Sequence, residues 1–370
     1  MKIAVVVGTR PEIVKMAPVV RACRRRRVRC VLIHSGQHYS FALDGIFFRE
    51  LGLPRPDFNL RVGSGSHAFQ IAEIARRLEP VLRRARPDVV LVEGDTNTVV
   101  AAGLTAAKLG IAVGHVEAGL RSYDRRMPEE LNRVLTDHLS EVLFAPTREA
   151  RAILRGEGIA AERIHVTGNT VVDELRLQRA AARRRVRLSK FGVEARRYAV
   201  ATVHRPENTN DPATLRRIFE GIAASGRALG IPVLAPLHPR TSERLRGVRS
   251  RLGETVRLLP PLGYHEFLAL ESQAALVLTD SGGVQEEACC LGVPCVTLRE
   301  NTERPESVAV GANVLAGSDP RAIVRCAVRM VRRRGGWRNP FGDGRAGLRI
   351  VDLLRRRRRA PSRPLRRVAS

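Results

Sequence analysis

Two hydrophobic periods alternate along the chain. Short continuous apolar runs, the first ending at Gly8, are followed by stretches with apolar positions every three or four residues, the first being TRPEIVKMAPVVRAC. A continuous run bounded by turn residues predicts a buried strand, and the longer spacing predicts a helix with one buried face. Pro11 suits the first turn of that helix, where a missing N–H costs nothing. Further strands are predicted over residues 28–34, 88–93, 111–116, 141–145 and 163–167, with helices over 66–85 and 97–109. Near residue 170 the pattern breaks at Gly168 and Asn169, and an arginine-rich segment of weak periodicity follows.

A second series then predicts strands over 198–203, 232–236, 255–259, 275–279 and 294–298, with helices over 212–228, 264–273 and 283–291. Strands alternating with helices imply mostly parallel sheets. The expected architecture is α/β, two Rossmann-like domains facing across a cleft. Residues 1–170 form the first and residues 171–354 the second, closed by a helix over 342–356; residues 355–370 form a basic tail expected to be disordered.

Composition adjusts this picture in a few places. A chain of 370 residues, 44% of them hydrophobic, can build two cores. No apolar run approaches the roughly 20 residues of a membrane helix. The start passes straight into a strand-like run without a signal-peptide pattern, so a cytoplasmic protein is expected. None of the six cysteines forms a CxxC pair, which argues against a metal, and the GxGxxG fingerprint of a dinucleotide cofactor is absent. The net charge of +27 points to an anionic partner, yet the excess is almost all arginine and aromatic residues are only 4% of the chain. Base-stacking platforms are therefore scarce and nucleic acid is not expected. A solvated surface of skewed composition and a real anionic partner both remain readings of this charge.

The densest candidate chemistry lies between Val90 and Arg133, where Asp95, Glu117, Asp124, Glu129 and Glu130 sit among arginines and the turn glycines Gly94, Gly114 and Gly119. These carboxylates read either as a charged solvated loop or as proton-transfer groups at strand ends. Arg10 and Lys15 flank a helix N-terminus able to hold an anion, as any first strand–helix unit might offer. In the second half, His204 leaves a strand, and Ser281, Gly282 and Gly283 open a helix whose N–H groups make a natural diphosphate cradle. Glu286 and Glu287 read as dipole compensation or as a ribose ligand. Arg299 and Arg304 read as phosphate clamps or as loop salt bridges.

Nine motifs and Lys15 taken together narrow these alternatives: GTRPE at residues 8–12 with Lys15, SGQH at 35–38, GDTNT at 94–98, HVEAGLRS at 115–122, MPEELNR at 127–133, TGNTVVD at 167–173, HRPEN at 204–208, DSGGVQEE at 280–287 and RENTERPE at 299–306. In kind and order, to about residue 354, they closely resemble the non-hydrolysing UDP-N-acetylglucosamine 2-epimerases. The resemblance implies a glycosyltransferase type B-like fold and no redox cofactor. It implies interconversion of UDP-GlcNAc and UDP-ManNAc by elimination and re-addition of UDP through a 2-acetamidoglucal. The family's catalytic carboxylates fall on Asp95, Glu117 and Glu129 and its active-site histidine on His204, which leaves Asp124 and Glu130 to structure. Its diphosphate-side cations fall on Arg10 and Lys15, its phosphate loop on Ser281, Gly282 and Gly283, its ribose carboxylate on Glu287 and its UDP-side arginine on Arg304.

Gln37, His38, Arg205 and His238 match the family's activator site. The glutamine and arginine that activated bacterial members carry nearby are replaced by YSF at residues 39–41 and GSGSH at 63–67, so weak or absent substrate activation is expected. The family commonly dimerises through its first domain, and a homodimer is expected. Rival readings are a 2-epimerase of UDP-2,3-diacetamido-2,3-dideoxyglucuronic acid, a hydrolysing 2-epimerase, and a glycosyltransferase on the same fold.

Overall fold

Continuous apolar runs become parallel strands covered on both faces by helices. The computed structural model describes residues 1–37, 41–237, 239–245, 252–333 and 335–359. The chain divides into two units, the first comprising Met1–Gly119, Asp124–Asp173 and the chain from Gly342 onward, the second Leu120–Tyr123 and Glu174–Phe341.

The first unit holds β1 (Lys2–Val7), β2 (Arg29–His34), β3 (Phe58–Asn59), β4 (Val89–Glu93), β5 (Ala112–Val116), β6 (Val142–Ala145) and β7 (Ile164–Val166), in the order β3-β2-β1-β4-β5-β6-β7. Every pairing is parallel, with Val5 opposite Leu91 and Leu91 opposite Gly114. Val6, Ile33, Ile74, Leu78, Val92 and Val99 pack one face of this sheet. The order reverses between β1 and β4, so their carboxyl ends form the switch point where open α/β sheets bind ligands.

The second unit holds β8 (Ala199–Thr202), β9 (Val233–Pro236), β10 (Val256–Leu259), β11 (Leu276–Thr279), β12 (Cys295–Thr297) and β13 (Asn313–Leu315), in the order β10-β9-β8-β11-β12-β13. These pairings too are all parallel. Phe219, Ile222, Leu234 and Leu278 are fully buried around it, and its switch point lies between β8 and β11.

Three expectations need correction. The chain changes units inside a helix, Thr170–Arg185, where the sequence pattern predicts a weakly periodic connection. Its arginines dilute the apolar stripe without opposing helix formation. The last helix, Ala346–Arg359, belongs to the first unit rather than to the second, and packs on the helix Arg10–Arg25. Its apolar stripe of Ile350, Val351 and Leu354 is buried there. The Asp173 carboxylate accepts from Ala346 N and Gly347 N at 3.0 Å each, anchoring the returning helix by its N-terminus. That helix also runs through residues 355–359, the start of the expected disordered tail, with Arg357 donating to the Glu141 carbonyl at 3.1 Å. The rest of the tail lies outside the described residues. Among the described residues no helix is long and apolar enough to cross a membrane.

Candidate functional site

At the switch point of the first unit a single buried carboxyl ties two turns together. Glu12 accepts from Gly8 N at 2.7 Å and from Thr9 Oγ1 at 2.9 Å, both beside β1, and from Thr96 Oγ1 at 2.7 Å, beyond β4. Burial pushes this carboxyl up to about 7 against the opposing pull of its three hydrogen bonds. A side chain at Gly8 would overlap the hydroxyls of Ser35 and Thr98, which bond each other at 2.8 Å. Only glycine lets β1 end this close to its neighbours.

One helical turn beyond Arg10 and Glu12, Lys15 reaches across the ends of β4 and β5. Its Nζ binds Glu117 and lies 3.3 Å from Glu93 Oε1, and Asn169 Nδ2 donates to Glu117 at 3.0 Å. All four side chains are buried. Glu117 holds φ at 67°, the left-handed region that non-glycine residues avoid, so the loop after β5 spends strain to aim this carboxylate. Burial drives the Glu93 carboxyl well above its ordinary range; Lys15 opposes this, while the charges of Glu117, Glu12 and Asp95 reinforce it.

Asp95 is held from the helix Pro128–Leu139. Arg133 binds its carboxylate and also Glu130, the latter at 2.8 Å, while Asn132 Nδ2 donates to the Asp95 carbonyl at 3.0 Å. Glu129 stands half-buried in the first turn of the same helix. His115 braces the loops behind it, with Nδ1 2.7 Å from Asp137 and Nε2 2.8 Å from the Gly94 carbonyl. Asp124 engages exposed Arg126 at 2.8 Å, a structural role like that of Glu130. The Arg10 guanidinium lies 5.3 Å from the Phe47 ring centre. Gln37 is buried and accepts from Thr98 Oγ1 at 2.7 Å.

In the second unit, fully buried Asp280 organises the switch point. It accepts from the backbone N–H groups of His204 and Arg205 and from Asn208 Nδ2, at 3.0–3.1 Å, and the His204 imidazole meets it at 2.9 Å. Burial pushes this carboxyl up, but the His204 imidazole and these donors outweigh it, and the net shift is downward. His204 keeps 55% of its side chain exposed, available to a ligand.

Ser281 caps the helix Gly282–Leu291, accepting from Val284 N at 3.4 Å, and Gly282 and Gly283 supply the first backbone N–H groups of that helix. Glu287 lies half-buried on this helix beside fully buried Glu271, which burial and the Glu287 charge raise far above the ordinary range. The predicted arginines engage buried carboxylates: Arg205 meets Glu303 at 3.1 Å, Arg299 meets Glu303 at 2.9 Å, and Arg304 meets Glu286 at 2.7 Å. Of the two readings of Arg304, phosphate clamp and loop salt bridge, the geometry displays the salt bridge. His38 and His238 lie outside the described residues.

Lys15 and Glu117 thus come into direct contact, and Asp95 stands close enough to act on Glu93 and Glu12 by its charge. The sequence reading did not single out Glu12, Glu93, Asn169, Asp280 and Glu303. Each lies inside or beside a quoted motif; Asn169 directly follows its turn glycine and Asp280 directly follows β11, which could have marked them, whereas Glu12 lies within the first helix, Glu93 ends β4 and Glu303 lies well beyond β12.

A family model described as UDP-N-acetylglucosamine 2-epimerase matches residues 21–355. A UDP-N-acetylglucosamine 2-epimerase of Methanococcus maripaludis is 48% identical over 360 residues, spanning 95% of this chain and 98% of that protein. A UDP-2,3-diacetamido-2,3-dideoxy-D-glucuronate 2-epimerase of Pseudomonas aeruginosa is 40% identical over 366 residues, spanning 96% of this chain and 99% of its own. Among solved structures, Methanocaldococcus jannaschii UDP-GlcNAc 2-epimerase in complex with UDP-GlcNAc and UDP matches with a TM-score of 0.91 and 46% identity, covering 96% of this chain and all of that one. A sucrose-phosphate synthase of Thermosynechococcus elongatus matches at a TM-score of 0.65 with 14% identity, a likeness of fold alone.

Proposed function

This chain belongs to the UDP-N-acetylglucosamine 2-epimerase family, and we propose that it interconverts UDP-GlcNAc and UDP-ManNAc. A carboxylate removes the C2 proton as the C1–O bond to UDP breaks, leaving a 2-acetamidoglucal. UDP then re-adds at C1 while a second acid delivers a proton to the opposite face of C2. Atoms and charge balance without an external oxidant or reductant.

The observation that carries this reading is the buried Lys15–Glu117 pair at the carboxyl ends of β1 and β5. A carboxylate fixed by an ammonium, an amide and a strained backbone is preorganised for proton transfer. We assign the proton steps to Asp95, Glu117 and Glu129, assisted by His204, with the roles of base and acid assigned to these carboxylates as a group. From the motif correspondence we assign Arg10 and Lys15 to the diphosphate side, Ser281, Gly282 and Gly283 to the phosphate loop, Glu287 to the ribose hydroxyls and Arg304, paired with Glu286, to the uridine side.

Proton NMR of UDP-GlcNAc with the enzyme in deuterium oxide tests the reading. Deuterium enters C2 of both sugars without accumulation of free UDP. Sugar transfer with C2 protium retained indicates a glycosyltransferase instead, and UDP released one for one with free sugar indicates a hydrolysing enzyme. The Pseudomonas aeruginosa relative supports the diacetamido-glucuronate substrate as second reading, and comparing turnover of the two nucleotide sugars decides between them.

We also read the protein as a cytoplasmic homodimer. Leu131 and Leu135, 41% and 55% exposed on the helix Pro128–Leu139, offer apolar surface for a second copy. Sedimentation giving a monomer at micromolar concentration counts against it.

A further inference from the structure

Two buried carboxyl groups share one ammonium beneath the ends of β1, β4 and β5. The side chains of Lys15, Glu117 and Glu93 are 8%, 5% and 2% exposed. Charging both carboxyls would leave a net negative charge in a site that also faces Glu12, on the helix Arg10–Arg25, and Asp95, in the loop after β4. Arg133 compensates Asp95, whereas the hydrogen bonds to Glu12 come from a backbone amide and two hydroxyls. Lys15 is therefore left to serve either Glu117 or Glu93.

The hydrogen bonds decide between them. Glu117 accepts from both Lys15 and Asn169, the pattern that favours an ionised carboxylate. Glu93 Oε1 accepts no hydrogen bond among the described residues, although it lies 3.3 Å from the ammonium. An ionised oxygen left this way in a dry site is costly, whereas a carboxylic acid tolerates it.

We propose that Glu93 is held as the neutral acid and serves as a positioning residue, reserving the charge of Lys15 for Glu117. The proposal rests on the reading of Glu117 as a catalytic carboxylate. Burial favours the protonated form of Glu93 in the same direction. When pH rises far enough to ionise Glu93, the ammonium is divided between two carboxylates and its hold on Glu117 loosens. Turnover falls on that alkaline limb.

Infrared difference spectra of wild type minus Glu93→Gln test the proton directly, in the absence of substrate. A protonated-carboxyl C=O band is expected at neutral pH and should vanish at alkaline pH, whereas carboxylate bands at neutral pH overturn the proposal. Should Glu93→Gln fail to fold, Glu93→Asp serves, since it moves the acid band without removing it.

The companion measurement is the pH profile of kcat. Because glutamine cannot ionise, the variant-to-wild-type ratio is expected to rise about tenfold across the alkaline limb, as one pH unit of displacement requires. Profiles of identical shape overturn the positioning role. If the wild type fails to epimerise, the assigned reaction falls, while the infrared result still decides where the proton resides.

Discussion

Replacing Glu12 with glutamine should make stability less sensitive to pH, by an amount that follows from its surroundings. Glu12 is fully buried and its carboxyl is raised from 4.5 to about 7, chiefly by that burial. A raised carboxyl binds more protons in the folded state than in the unfolded one, so its contribution is whole below pH 4.5 and is lost as pH climbs to about 7. At about 1.4 kcal/mol per pH unit the loss comes to about 3 kcal/mol, with no allowance for solvent screening because the group is inaccessible.

Glutamine can keep the local bonding. Its oxygen accepts from Gly8 N, and its amide donates to the hydroxyls of Thr9 and Thr96, which can turn from donors into acceptors. The assay is urea unfolding followed by circular dichroism from about pH 4 to pH 8. The two proteins should converge at the acid end, and above neutrality Glu12→Gln should be the more stable by about 3 kcal/mol. A difference that stays constant across the range, or a wild type that gains on the variant as pH rises, refutes the reasoning.

Other outcomes follow from the same geometry. Asp95→Asn, Glu117→Gln and Glu129→Gln should each lower turnover by about 10² or more with circular dichroism unchanged, and near-normal turnover in all three sinks the assignment. Gly282→Ala should weaken UDP binding about tenfold by calorimetry and cost about 1–3 kcal/mol of stability. Its new Cβ would lie 2.7 Å from Glu303 Oε1 and push that carboxylate off Arg205 and Arg299, so an unchanged UDP affinity contradicts the cradle. Traces of UDP-GlcNAc should not accelerate UDP-ManNAc turnover strongly, since the activator motif is matched only in part. A steep rise would show a working activator site.

Local pattern carried most of the elements. Continuous apolar runs such as residues 2–7 and 88–93 could be recognised because strands buried on both faces have no polar side to hide, and Pro11 marked the first helix. The helix Thr170–Arg185 escaped notice because its arginines blur the apolar stripe, and β3 and β13 are too short to show a period. The site was legible as a set of turns after strands. Which acid in each turn is buried was not: Asp95 retains 27% exposure while its near neighbour Glu93 retains 2%.

The sequence alone determined the alternation of strands and helices, the glycine turns at one end of the strands, and the motifs that place the chain in its family, since all of these are written in residues close together. Tertiary structure decided strand order, and with it every pairing that gives the site its chemistry. Setting β1 beside β4 brings Thr96 onto Glu12 across 84 residues, and Lys15 onto Glu117 across 102. It also returns the final helix to the first unit. A carboxyl's proton affinity depends on water exclusion and on charges within a few ångströms, and only the folded chain determines which groups those are.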